Sequence, residues 1–423
     1  MKVRLAYGAN GLEFSLPQGL SFDLIEPRHV PGLPDPRGAV CEALHFPIGL
    51  GPLRERARSS DRVGVVVNDI TRATPYRVIL PALLEELHHV PDERITFFVA
   101  TGTHRLNTPE ELAAMLGEGI VDRFRIVQND AMDRDSHAQA GTTCGGNAIW
   151  LHRELLQCDL RILTGFIEPH FFAGFSGGPK ACMPGMALLE TVLGNHRPAN
   201  IDHPNATWGV TRGNPIWEEI REAAGMAGPS FLLNVTMNRD KEITGVFAGD
   251  VEQAHEQGRE FVRSVAMAPV HRPYDIVVTS NSGRPLDLNL YQAVKGMSTA
   301  AQIVRPDGAI ILAAECWDGI PDHGQYKRLL CEAEGPGALL ESIRTADTVI
   351  QDMWQAQIHA LICSKADVHL FSDRLTDEQV SRAMLTPCRD IAATIGRLLR
   401  SYGRDASIAV LPEGPQTIPY IDA

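Results

Sequence analysis

The chain has 423 residues, 44% hydrophobic and 22% charged, an ordinary globular composition with enough length for two to three domains. Its formal net charge of −13 argues against a nucleic-acid or anionic-membrane partner, while leaving room for a small anionic substrate held by a few local cations. No run of about 18 apolar residues reads as a membrane span, the opening Met-Lys-Val-Arg-Leu-Ala-Tyr-Gly reads as lacking a secretory leader, and eight cysteines without a Cys-x-x-Cys read as reduced thiols in a cytoplasmic protein.

The elements alternate strand, loop, helix. Residues 63–67 form an apolar run suited to a buried strand, followed by Asn-Asp-Ile-Thr-Arg-Ala-Thr-Pro. A helix is expected over 75–89, with Thr74 as N-cap and Pro75 at its first position. A strand over 95–100 ends in Thr-Gly-Thr-His, and a capping box from Thr108 to Glu111 opens the next helix. Further strands are expected at 125–127 and 160–164. The pattern restarts near 270, with strands at 276–279, 308–314, 366–371 and 406–411 and helices at 290–304 and 337–344. A second capping box runs from Thr376 to Gln379.

This alternation predicts an α/β fold: two domains with parallel or mixed sheets flanked by helices, and the active site in the cleft between them. The expected division is 1–270, 271–400 and a closing segment 401–423 that returns to the first domain. In open α/β sheets ligands bind beyond the carboxyl ends of the strands. The unusual loops, 69–74, 101–105 and 168–180, all follow such ends.

Each loop has a plain reading beside a chemical one. In Asp69-Ile-Thr71-Arg72-Ala-Thr74-Pro75, hydroxyls and a guanidinium precede a helix N-terminus, suiting phosphate or carboxylate; otherwise this is a capped loop with a surface arginine. His104 just past a strand end is placed for proton transfer, or is a loop histidine bonded to backbone. The stretch His170-Phe-Phe-Ala-Gly-Phe-Ser176-Gly177-Gly178-Pro179-Lys180-Ala181 is only superficially a P-loop. Pro179 stands where the second glycine belongs and Ala181 where a hydroxyl must bind magnesium, which excludes an NTPase. Pro179 fixes the chain before Lys180 and aims it. Cys182 reads as packing rather than as a nucleophile, having no histidine as its immediate neighbour. His170, Lys180 and His196, 10 and 16 residues apart, do not have zinc-site spacing, so any metal at His196 takes most of its ligands from elsewhere. In Tyr291-Gln292-Ala-Val-Lys295, Gln292 and Lys295 share a helix face, making either a carboxylate site or a solvated surface. Trp354 walls an apolar pocket or is ordinary core.

Together the motifs resemble the nickel-pincer-nucleotide lactate racemase family. The resemblance spans essentially the whole chain: Asp-x-Thr-Arg-x-Thr-Pro, Thr-Gly-Thr-His, His-x-x-x-Gly-x-Ser-Gly-Gly-x-Lys, a histidine 16 residues beyond that lysine, Tyr-Gln-x-Val-Lys-Gly, and a closing Leu-Pro-Glu-Gly-Pro-Gln-Thr. It implies an isomerase with an unusual cofactor, pyridinium-3-thioamide-5-thiocarboxylic acid mononucleotide carrying nickel through two sulfurs and a ring carbon. Lys180 matches its covalent thioamide anchor and His196 the remaining nickel ligand. Asp69, Thr71, Thr74, Ser176, Gly177 and Gly178 match the nucleotide cradle.

The resemblance further implies His104 and His170 as the acid/base pair of a reversible hydride transfer through a 2-keto acid, with Arg72, Gln292 and Lys295 on the substrate carboxylate. Cofactor-synthesis proteins are then maturation partners. With Phe171 and Phe172, Tyr291 and Trp354 suggest a partly apolar pocket for lactate or a similar short or aryl 2-hydroxy acid. Competing readings are a C2 epimerase of a sugar acid or a malate racemase on the same cofactor, and a non-catalytic cofactor carrier.

Overall fold

The computed structural model describes residues 2–16 and 20–422. Two six-stranded sheets, each flanked by helices, organise it. The first runs, edge to edge, through Ile243–Gly249, Ser230–Met237, Leu160–Phe166, Val63–Asn68, Ile95–Ala100 and Arg125–Gln128. All neighbours are parallel except the first pair. The Val63 and Leu160 strands are buried almost throughout, as expected for parallel strands covered on both faces. From Val63 the chain steps outward to Ile95 and Arg125, then returns to Leu160 on the other side. The order therefore reverses between the Val63 and Leu160 strands, and the loops carrying Asp69 and His170 leave from that switch point.

The second sheet runs Thr386–Cys388, Ala366–Phe371, Val304–Ala313, Tyr274–Ser280, Ile408–Leu411 and Asp23–Leu24, all parallel. It also reverses once, between the Tyr274 and Ile408 strands. The beginning of the chain departs from the division expected at residue 270. Asp23–Leu24 pairs with the Ile408 strand, and Val3, Leu5, Tyr7 and Leu16 pack with Ile276, Ile311 and Val410. Their apolar alternation finds its buried face on the second sheet. Residues 401–422 supply the Ile408 strand to that same sheet, and Ile418–Ile421 then pairs with Met267–Val270 at the junction.

Element bounds depart from expectation in specific ways. The helix expected over 75–89 is Tyr76–Glu86, with Pro75 in the cap position and no side-chain cap. Thr74 is thus not an N-cap; its Oγ1 accepts a hydrogen bond from Asn68 Nδ2 at 2.9 Å. The helix expected over 290–304 is Leu290–Ala301, because Val304 already pairs with Tyr274 in the sheet. Both capping boxes are present. Helix Met353–Lys365, unanticipated, buries Gln355, Gln357 and His359 along with its apolar residues, so no amphipathic stripe marks it. Strands Ser230–Met237 and Ile243–Gly249 and helix Val251–Ala266 were also unanticipated.

The two lobes share one apolar cluster, in which Phe171, Phe172 and Trp208 meet Met297 and Trp354. Trp208 Nε1 donates to Ser298 Oγ across the same interface at 3.1 Å. No helix among the described residues is long and apolar enough to cross a membrane.

Candidate active site

The site is built first from the end of the Val63 strand. Asp69 is buried there, and its Oδ1 accepts from the Thr71 hydroxyl at 2.6 Å while its Oδ2 pairs with His104 Nδ1 at 2.7 Å. Burial pushes the Asp69 carboxyl up, but the His104 charge and hydrogen bond, then Thr71 and Arg72, outweigh it and hold it below the usual carboxylate range. With Nδ1 donating to a carboxylate, a neutral His104 presents the lone pair of Nε2. Gln292 Nε2 lies 3.4 Å from that nitrogen.

The second contribution is the turn after the Leu160 strand. His170 is buried, at T-shaped contact with Phe172 (centroids 4.6 Å apart). Its Nδ1 accepts the Ala173 amide at 3.3 Å, so a neutral ring carries its proton on Nε2, 3.3 Å from Lys180 Nζ. Burial, then the charges of Lys180, Lys295 and Arg72, push its pKa well below the ordinary histidine value. Burial and the Arg72 charge bring the Lys180 ammonium down to about 7. His196 is buried between the edges of Phe172 and Trp354. Burial and Lys180 push its pKa to about 3, and its Nδ1 has no hydrogen-bond partner among the described residues.

The glycines of this turn serve the fold more than a ligand. Gly177 and Gly178 adopt φ of 74° and 56°. A Cβ on Gly178 would meet the His255 ring at 2.6 Å, and its N–H donates to Asn234 Oδ1 at 2.8 Å. Protein atoms, not an open cradle, occupy that side.

The second lobe supplies helix Leu290–Ala301, whose N-cap Asn289 accepts the Gln292 amide at 3.1 Å. Lys295 Nζ donates to Gln292 Oε1 at 2.7 Å, and Trp354 Nε1 donates to the Tyr291 hydroxyl at 3.0 Å. Burial and Arg72 push Lys295 well below the ordinary lysine value. Neither Gln292 nor Lys295 is a solvated surface residue, since burial encloses both.

One cavity of about 140 Å³ is lined by Asp69, Thr71, Arg72, His104, His170, Ser176, Gly177, Lys180, His196, Tyr291, Gln292, Lys295 and Trp354. Two residues expected at the site, Thr74 and Gly178, do not line it. Thr71 and Ser176 reach it with their hydroxyls already engaged, Thr71 on Asp69 and Ser176 on the Phe166 carbonyl at 3.1 Å. Cys182 is fully buried and its thiol is pushed up to about 12, so it is packing and not a nucleophile. Among the described residues no three His, Cys, Asp or Glu side chains come together as a metal cage.

Models of the lactate racemase N-terminal and C-terminal domains match residues 7–209 and 270–418 respectively. The chain belongs to the lactate racemase family. Its relatives include lactate racemases of Thermoanaerobacterium thermosaccharolyticum, 36% identical over 90% of this chain and 89% of that one, and of Lactiplantibacillus plantarum, 36% identical over 89% of each. The lactate racemase apoprotein structure from T. thermosaccharolyticum superposes with a TM-score of 0.92 at 34% identity, covering 99% of this chain and all of that one. A Thermotoga maritima protein at 20% identity shares the fold, with a TM-score of 0.71 over 92% of this chain and 99% of that one.

For this lactate racemase family member, sequence reasoning gave no role to the polar cavity residues Asn68, Thr164 and Gln355, nor to Glu168 beside the cavity, although it singled out the loop that Glu168 opens. Asn68 and Glu168 carried a usable signal, as polar residues at or just beyond the ends of apolar strands. Gln355 carried none, because a glutamine on an unrecognised helix looks like any exposed residue.

Proposed function

We propose that the protein is a nickel-dependent racemase of lactate or a similar short 2-hydroxy acid. The observation that carries this reading is the meeting, in one cavity, of two histidines with oppositely placed protons, a lysine poised near neutrality and a cationic carboxylate-binding set. In this reading residues 1–270, less the opening strands, hold the cofactor and 271–400 cover the substrate. Maturation by cofactor-synthesis proteins takes place in the cytoplasm.

The residues fit a lysine-tethered nickel-pincer nucleotide. Lys180 is an amine that loses its proton near neutral pH, as an acylation nucleophile must. His196 is held neutral by burial and its Nδ1 lacks a partner among the described residues, the state in which an imidazole ligates a metal. When bound, that group supplies a reversible hydride acceptor.

The chain's own residues do the rest. Arg72, Lys295 and Gln292 take the substrate carboxylate, with Gln292 oriented by Lys295. His104, with Nδ1 committed to Asp69, offers Nε2 to the hydroxyl proton. His170 offers a proton from Nε2. Inversion requires one group to take the hydroxyl proton and the other to return it, and the two rings differ in that respect. Packing by Phe171, Phe172 and Trp354 keeps water away from a keto acid intermediate.

The test is intact-mass and metal analysis of protein made together with the cofactor-synthesis proteins, combined with chiral analysis of lactate. The expected result is a mass increase on the peptide carrying Lys180, bound nickel, and conversion of either enantiomer to the racemate. Inversion by protein with an unmodified Lys180 would overturn the covalent reading.

A further inference from the structure

The closing Leu411-Pro412-Glu413-Gly414-Pro415-Gln416-Thr417 has no part in the chemistry described so far, yet the fold delivers it to the site. It follows the Ile408 strand at the switch point of the second sheet, as Glu168 follows the Leu160 strand at the switch point of the first. The segment is pinned locally. Ser280 Oγ donates to the Pro412 carbonyl at 2.6 Å, Ser282 Oγ donates to the Glu413 carbonyl, and Gly414, at φ 46°, lies so close to Ser280 that a Cβ would meet its carbonyl at 1.9 Å.

From that fixed turn, Gln416 Nε2 donates to Glu168 Oε2 at 2.9 Å. The other oxygen, Oε1, lies 3.8 Å from Arg72 Nε, and Arg72 Nη1 is buried without a hydrogen-bond partner among the described residues. Glu168 itself is buried and anchored through its backbone, its amide donating to Ser176 Oγ at 3.0 Å and its carbonyl accepting the Ser176 amide at 2.9 Å. Three cations (Arg72, Lys180 and Lys295) line the cavity, and Asp69 is committed to His104 and Thr71. Glu168 is a second carboxylate close to Arg72.

We propose that Gln416 and Glu168 are positioning residues for the substrate-carboxylate site: Gln416 fixes the Glu168 carboxylate, which faces Arg72 at Nε and leaves the outer guanidinium nitrogens for the substrate. A carboxylate free to rotate would instead pair with Arg72 in full and compete with the substrate. The closing segment of one lobe thereby tunes an arginine of the other. This inference rests on the racemase reading.

The experiment uses cofactor-loaded enzyme and both lactate enantiomers. Gln416→Leu removes the donor, and KM is expected to rise roughly tenfold or more with kcat little changed, the signature of lost substrate binding. Gln416→Glu sets two carboxylates against each other, so one holds a proton at low pH; its KM relative to the wild-type KM, which carries the shared titration of Lys295, is expected to climb as pH rises and that proton is lost. Arg239→Ala breaks the separate bridge to Glu413 (3.6 Å) and is expected to leave KM unchanged, which separates positioning from simple lobe docking. Thermal unfolding checks that each variant is folded, and if Gln416→Leu is not, the pH profile of Gln416→Glu decides. Wild-type KM in both Gln416 variants, or an equal rise in Arg239→Ala, overturns the proposal while leaving the racemase reading intact. Failure of the wild-type enzyme to invert any 2-hydroxy acid overturns that reading and the proposal with it.

Discussion

The loop carrying His104 and the turn carrying His170 leave the same sheet at carboxyl ends of its strands, but they treat their histidines in opposite ways. His104 is partly exposed and tied to a buried carboxylate, so in the neutral ring the proton is on Nδ1 and Nε2 presents a lone pair. His170 is buried without a carboxylate partner among the described residues; an amide occupies its Nδ1, so in the neutral ring Nε2 carries the proton. Three cations oppose its protonation, with Lys180 the largest of them. On the proposed reading, conversion of Lys180 to a neutral thioamide would remove that charge and make His170 easier to protonate. The asymmetry teaches that the two histidines of the proposed acid/base pair are not two copies of one device: one is set by a carboxylate, the other by burial and by the charge of its neighbouring lysine.

The largest effects should come from breaking each half of this comparison. His104→Ala and His170→Ala are each expected to lower kcat by about 10²–10⁴ while the cofactor mass is retained. Asp69→Asn should approach the His104→Ala loss, because the ring then loses the partner that sets its tautomer. An Asp69→Asn enzyme with wild-type kcat would show that the pairing is only structural.

The lysine half is tested by pH. Labelling of Lys180 in apoprotein by an amine reagent, followed by peptide mass spectrometry, should reach half its plateau at about pH 7 rather than near the ordinary lysine value. The same depression makes a stability prediction. Between pH 7 and 10 the unfolded chain binds a proton at this lysine and the folded chain does not, so stability rises with pH. The slope is at most ~1.4 kcal/mol per pH unit. Lys180→Met should flatten that rise in pH-dependent urea titrations, and an unaltered rise would assign it to other groups.

Smaller effects sharpen the comparison by separating packing from chemistry. Trp354→Phe keeps an aromatic edge beside His196 but loses the bond to the Tyr291 hydroxyl, at about 1 kcal/mol in thermal unfolding. Thr108→Ala removes the capping box of the helix that follows the His104 loop, and should destabilise by ~1 kcal/mol with kcat unchanged. A fall in kcat for this last variant would mean that loop geometry, and not Asp69 alone, orients His104.

Much of this was legible in local sequence. The strands at 63, 95 and 366 and both capping boxes follow from apolar runs and from side chains that satisfy orphan helix amides, which are short-range effects. His104, His170 and Lys180 stood out as chemically distinctive residues just past strand ends or within the turn that follows, whereas the role expected of His196, which ends helix Leu189–Asn195, came from the family resemblance. The buried helix Met353–Lys365 was not legible, since burial on every side erases the periodicity that reveals a surface helix. Nor was the spent capacity of Thr74 and Gly178, whose polar groups answer Asn68 and Asn234.

By itself, then, the sequence determined which strands and caps form and which residue types cluster in the loops, because those depend on neighbours a few positions away. Only the tertiary structure decided the protonation pattern of the two histidines, the near-neutral Lys180 and the meeting of Gln416 with Glu168 across 248 residues. Each of these depends on burial, on charges from distant segments and on the apposition of two sheets, none of which local pattern encodes.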